Sequence, residues 1–208
     1  MFKVLSENSP DAKVVDLKVE QEGHKLTIDA LTEADTPENV KIKVEVPIVY
    51  DVNVVTQGDG CIHCQDMIES HYCHLTSEDG DITVSSVKTG NLIVQSETGD
   101  IRCRGALHGA VSIVSGDGDV TSDKRFLGPS LDISTDTGDV DISSCYSDQS
   151  KFSTQSGDMN LRNIHNESYV AVYSDGNVKM KGVDGSTNVF IKKGTLDMQV
   201  SHVSNESR

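Results

Sequence analysis

Four groups of residues in this 208-residue chain could do chemistry. The first is a row of carboxylates. Asp81, Asp100, Asp119, Asp139 and Asp158 each follow a glycine and precede an aliphatic residue, and Asn177 continues the row. The glycines from Gly60 to Gly194 stand 20, 19, 19, 20, 19, 19 and 18 residues apart. If that period is one coil of a stacked fold, successive carboxylates lie about 5 Å apart. They then repel by roughly 1–3 kcal/mol. Ca²⁺ would offset this, since hard cations take carboxylate and carbonyl oxygens. So would backbone N–H groups in tight turns where glycine supplies positive φ. Calcium-binding nonapeptide repeats place one residue between the Asp and the aliphatic position. Here the two are adjacent.

The second group is a hydroxyl row, Ser77, Ser96, Ser115, Thr135 and Thr154, each three residues before its glycine. A serine nucleophile needs a paired base, and no His or Lys recurs beside this row. Hydroxyls at turns satisfy backbone groups instead. The third group is Cys61, His63, Cys64, His71, Cys73 and His74, thiols and imidazoles of the kind zinc takes. In the register of the repeat, Ile62 matches Ile82, so Cys64 falls at the inward position of Val84. Cys73 likewise falls at that of Leu92. Only Cys61, His63, His71 and His74 remain as outward zinc ligands. The fourth group is Asp132 and Asp141, outward carboxylates of the sort a polysaccharide-cleaving β-helix would pair across a groove. They sit on different strands, and the four Phe and five Tyr are too scattered to build an aromatic platform.

The elements that must position these residues follow from the same period. Each unit holds one strand after the Gly-Asp turn, as in Ile82-Thr83-Val84. A second begins about ten residues later, as in Leu92-Ile93-Val94. Aliphatic and polar residues alternate, so each strand turns one face inward. Predicted inward residues run from Ile82, Val84, Leu92 and Val94 through Ile101, Cys103, Val111, Ile113, Val120, Leu131, Ile133, Val140, Ile142, Met159 and Leu161. They continue through Val170, Val172, Val178, Met180, Val189 and Ile191. Helical repeats and propeller blades have longer periods, roughly 33 residues or more. The fold class expected is all-β: a parallel two-sheet β-solenoid (β-helix) of seven to eight coils of about 19 residues.

Residues 1–56 lack the repeat but alternate. Val14, Leu17 and Val19 lead through Gln21-Glu22-Gly23 to Leu26, Ile28 and Ala30, which reads as a hairpin. Thr36-Pro37-Glu38-Asn39 breaks the chain, and two strands follow, over Val40–Val46 and Ile48–Val55. This segment is assigned as an N-terminal strand cap, since an uncovered sheet end invites edge pairing. Residues 57–200 carry the solenoid, and 201–208 form a polar tail. No strong C-terminal cap is visible, so the last coil is an expected self-association surface.

Composition limits the partners. There are 33 acidic against 18 basic residues, a net charge of −15. That disfavours nucleic acid and anionic membranes. No apolar run approaches a membrane span. Met1–Pro10 has no basic segment followed by an apolar one, so a secretory signal is not expected. Five cysteines is an odd count without a disulfide-like spacing, which points to a reducing, intracellular compartment.

The phrases Ser77-Glu78-Asp79-Gly80-Asp81-Ile82, Ser96-Glu97-Thr98-Gly99-Asp100-Ile101 and Ser115-Gly116-Asp117-Gly118-Asp119-Val120, behind a strand ending in Val46-Pro47, carry a resemblance. The chain resembles the domain family labelled adhesin that occurs in bacteria and animals without an assigned function. The resemblance covers nearly the whole chain. It implies a β-solenoid with no established activity and, by its animal members, a mitochondrial location. The expected function is a non-catalytic scaffold or protein-interaction module with a protein partner and no cofactor. The alternatives are a metal-binding protein (Ca²⁺ on the Asp row or Zn²⁺ near Cys61–His74) and a carbohydrate-active β-helix enzyme.

Overall fold

A computed structural model describes residues 49–201 throughout, together with the backbone of four strands before them. Those four are β1 (Lys3–Glu7), β2 (Val14–Glu22), β3 (Lys25–Thr32) and β4 (Lys41–Glu45). The Thr36–Asn39 break, Val46-Pro47 and the tail beyond Ser201 lie outside the described residues.

β2 and β3 form the expected antiparallel hairpin, closing at Glu22 opposite Lys25. β1, which the pattern did not suggest, pairs antiparallel with β4. β5 (Asp51–Thr56) lies parallel to β3 at Lys25–Leu26 and in register with the next long strand from Val52 to Thr56. The parallel ladder therefore reaches back into the segment assigned to the cap.

Short and long strands then alternate: β6 (Ile62–Cys64), β7 (Ile68–Ser77), β8 (Ile82–Val84), β9 (Val87–Ser96), β10 (Ile101–Cys103) and β11 (Leu107–Ser115). In β12 (Val120–Thr135) and β13 (Val140–Ser156) the short strand runs on into the long one. β14 (Met159–Arg162) and β15 (His165–Asp175) separate again, β16 (Val178–Ile191) merges, and β17 (Leu196–Val200) follows. The described residues contain no helix, and every pairing after β5 is parallel. One ladder runs Ile62, Ile82, Ile101, Val120, Val140, Met159, Val178, Leu196. These eight rungs, one after each repeated glycine from Gly60 to Gly194, make a β-solenoid of about eight coils.

The core is a stack of aliphatic rows. All the predicted inward residues are buried except Val189 and Ile191, which are partly buried and pack against the core near its C-terminal end. The long strands are longer than the pattern suggested. β11 is irregular near its middle, with register shifts between His108 and Ala110 against β9 and between His108 and Val111 against β12. A third inward row comprises Val87, Leu107, Phe126, Cys145, Ile164 and Val183, all buried.

Candidate functional site

The Asp row is the most regular polar feature of the surface, and the geometry shows what holds it. Asp100 donates its backbone N–H to Oδ1 of Asp81 at 3.0 Å. Asp119 donates to Asp100 at 2.9 Å, Asp139 to Asp119 at 2.8 Å, and Asp158 to Asp139 at 2.7 Å. Asn177 continues to Asp158, and Thr195 donates in turn to Oδ1 of Asn177. At the same turns, backbone carbonyls accept from the preceding coil: the Asp100 carbonyl accepts the Ile82 N–H, that of Asp119 the Ile101 N–H, and that of Asp139 the Val120 N–H. Each residue is thus tied to both neighbouring coils. The backbone-acceptor role expected of these side chains is present, but it acts between coils rather than within one turn.

Charge compensation along the row is local. The Arg102 guanidinium bridges Asp81 (2.5 Å) and Asp100 (2.6 Å). Its hydrogen bond is the main reason the Asp81 carboxyl titrates below the usual carboxylate range, with the Asp100 N–H adding to it. A carboxyl lowered in the folded state stabilises fully above its unfolded value of about 3.9. That contribution is lost as pH falls through the folded value. Arg102→Gln is therefore expected to move the acid-unfolding midpoint to higher pH while changing stability at pH 7 only slightly, since the pair is partly exposed. Acid titration followed by circular dichroism checks this; an unchanged midpoint contradicts it.

The hydroxyl row does parallel work inside the wall. Ser77, Ser96 and Thr135 accept the N–H of Gly80, Gly99 and Gly138 at 2.9–3.0 Å. The same hydroxyls, with Ser115 and Thr154, donate to a backbone carbonyl of the preceding coil. All five are buried. With these bonds made, none is free to be activated as a nucleophile.

The expected positive φ is present at the last repeated glycine, Gly194 (φ +139), but most of the series recurs for another reason. Gly80, Gly99, Gly118, Gly138 and Gly176 have no left-handed φ. A Cβ on Gly99 would stand 2.3 Å from the Gly80 carbonyl oxygen, and one on Gly118 2.2 Å from that of Gly99. The residue is required because each coil rests directly on the backbone of the one before.

The cysteine and histidine residues fall on different faces. Cys61 and His63 are exposed at the short-strand edge, with His63 beside Thr83 in the ladder. His71 is exposed at the start of the long-strand face, its N–H donated to Asp51. His74, on that face, is held among Tyr72, Thr76 and Gln95. Cys73 is fully buried and Cys64 partly buried against the core. Burial pushes the Cys64 thiol up to about 11 and Cys73 and Cys103 to about 12. These thiols stay protonated at neutral pH, which is unsuited to nucleophilic attack. All five cysteines are free. Among the described residues no three His, Cys, Asp or Glu side chains come together in a way that could hold a metal.

Asp132 and Asp141 lie on different strands, β12 and β13, as expected. Asp132 lies near Lys151 (3.5 Å), and Asp141 accepts from Arg162 and Asn160. The aromatic residues depart from expectation. Tyr169, Tyr173 and Phe190 gather on the outer long-strand face, with the Tyr173 and Phe190 rings 6.1 Å apart. A spacing of 17 residues between Tyr173 and Phe190, nearly one coil, was the signal for this.

A family model described as Toastrack DUF4097 matches the chain twice, over residues 3–125 and 109–207. No curated protein and no solved structure matches the chain.

Proposed function

The chain belongs to the Toastrack DUF4097 family, a domain family of unknown function, and from that premise we propose that it is a non-catalytic scaffold that binds other proteins along its rod. The observation that carries this is the use made of its repeated polar groups. The carboxylate, hydroxyl and glycine of each unit are engaged in holding coil to coil. What they support is a long, regular surface, the form in which repeat proteins present extended binding faces.

Self-association through the last coil is part of the proposal. Leu196, Met198 and Val200 continue the inward rows of Val178, Met180 and Val183, yet they are exposed. A reducing, intracellular location fits the free thiols, and the mitochondrial one rests on the resemblance.

Thermal melting of the full chain with Ca²⁺, Zn²⁺ or a chelator separates this reading from metal binding. A scaffold is expected to melt within about one degree in all three. A rise of several degrees with one ion would replace the scaffold by a metal-binding protein. Crosslinking in native extracts, followed by purification, then identifies the partner.

A further inference from the structure

Most of the surface is acidic, but one cleft is not. It opens at the corner between the short strands and the first half of the long ones. Its volume is about 660 Å³, and Arg104, Lys124 and Arg125 line it with Asp123, Ser86 and Ser144. Elsewhere on the solenoid Lys88, Arg102, Lys151, Arg162 and Lys193 are each paired with a carboxylate, while Lys179, Lys181 and Lys192 have no ion pair among the described residues and lie outside this cleft. Arg104, Lys124 and Arg125 have no side-chain partner among the described residues, in a chain with 33 acidic residues available. The Ser86 and Ser144 hydroxyls are also without a hydrogen bond among the described residues.

The wall's own geometry assembles these cations. Cys103 pairs with Ser122, which sets Arg104 one coil from Asp123. The register shifts between Ser122 and Arg125, where the Ser122 hydroxyl caps the Lys124 carbonyl at 2.8 Å. That bulge brings Lys124 and Arg125 to the corner in succession. Arg125 then lies beside Ser144 of the following coil. Gly105 keeps the floor low, since a Cβ there would meet the Ser85 carbonyl at 2.3 Å and the Ser86 hydroxyl at 2.5 Å.

We propose that this cleft binds a phosphoryl group, as free phosphate or as a phosphate monoester. Three cations and one carboxylate leave a local charge of +2, matched to a phosphate dianion. Guanidinium groups and hydroxyls supply donors to its oxygens, and arginine suits tetrahedral oxyanions through paired N–H bonds. The net charge of −15 repels long polyanions. Screening over roughly 8 Å at physiological salt leaves a compact ligand governed by the cleft.

The test is titration of the ¹⁵N-labelled full chain with inorganic phosphate, then with O-phosphoserine, at constant ionic strength against chloride. Saturable amide shifts are expected at Ser86, Gly105, Ser144 and Asn163, which lines the same cleft. Binding should weaken about tenfold in the Arg104→Gln/Arg125→Gln variant. It should be unchanged in Lys179→Gln, which removes a charge outside the cleft. Both surface variants are expected to melt like the parent. Binding of phosphoserine assigns the cleft to a phosphoryl group on an organic carrier, and binding of phosphate alone assigns it to the free anion. Shifts that do not saturate, that chloride reproduces, or that survive in the double variant would overturn the proposal.

Discussion

Gly118→Ala is expected to lower the melting temperature by roughly 10 °C. The Cβ it adds stands 2.2 Å from the carbonyl oxygen of Gly99, 2.5 Å from its carbon and 2.9 Å from the Asp100 nitrogen. All three atoms are backbone, and the Asp100 nitrogen is itself hydrogen-bonded to Asp81. The methyl can be accommodated only by lifting one coil off another. Overpacking of this kind costs about 3 kcal/mol. Gly58 is the control. It has φ +56 and nothing within 4 Å of an added Cβ. Gly58→Ala should cost only the left-handed backbone penalty, about 1–2 kcal/mol. Equal losses at the two positions would mean that the repeated glycine serves backbone conformation, and that the coils do not press on each other as described.

The second large effect separates two residues of the same shape. Asp119→Ala leaves the Asp139 N–H without its acceptor at 2.8 Å. A charge-assisted bond lost at a solvent-facing turn costs about 1–2 kcal/mol. Asp119→Asn keeps the acceptor oxygen and removes like-charge repulsion, so it is expected to fall within about 0.5 kcal/mol of the parent. Asn177 already fills this position in a later coil, where it accepts from Thr195. Denaturant unfolding of the two variants measures the difference. If Asn were as damaging as Ala, the charge itself would be the requirement, as for a bound cation.

Much of this wall could be read from the residues alone because a one-dimensional repeat makes each coil a copy of its neighbour. Ile82, Ile101 and Val120 align by counting, and so do the inward positions around them. The β2–β3 hairpin was legible from two alternating runs around Gln21-Glu22-Gly23. The third inward row was not. Cys145 and Ile164 carry no common residue type with Val87 or Phe126, and the register shift after His108 disturbs the alternation. Nor could β1 be seen, since five residues paired with β4 have no local signature. The role of the repeated glycine was legible only in part, because a turn, as at Gly194, and a close approach, as at Gly118, select the same residue. The basic cleft has no local signature, because Arg104 and Lys124 lie 20 residues apart in a chain of net charge −15. An offset of one coil applied to charges, as it was applied to aliphatic residues, would have found both the cleft and the Tyr173–Phe190 pair.

Native-state hydrogen exchange at the Asp139 amide tests most directly whether the carboxylate row is a structural tie between coils. The residue is exposed, so only its bond to Asp119 can slow exchange beyond the surrounding turn. That amide should be protected in the parent and in Asp119→Asn, and should lose at least about tenfold of its protection in Asp119→Ala. An Asp139 amide that exchanges freely in the parent, or that stays protected in Asp119→Ala, would contradict the account.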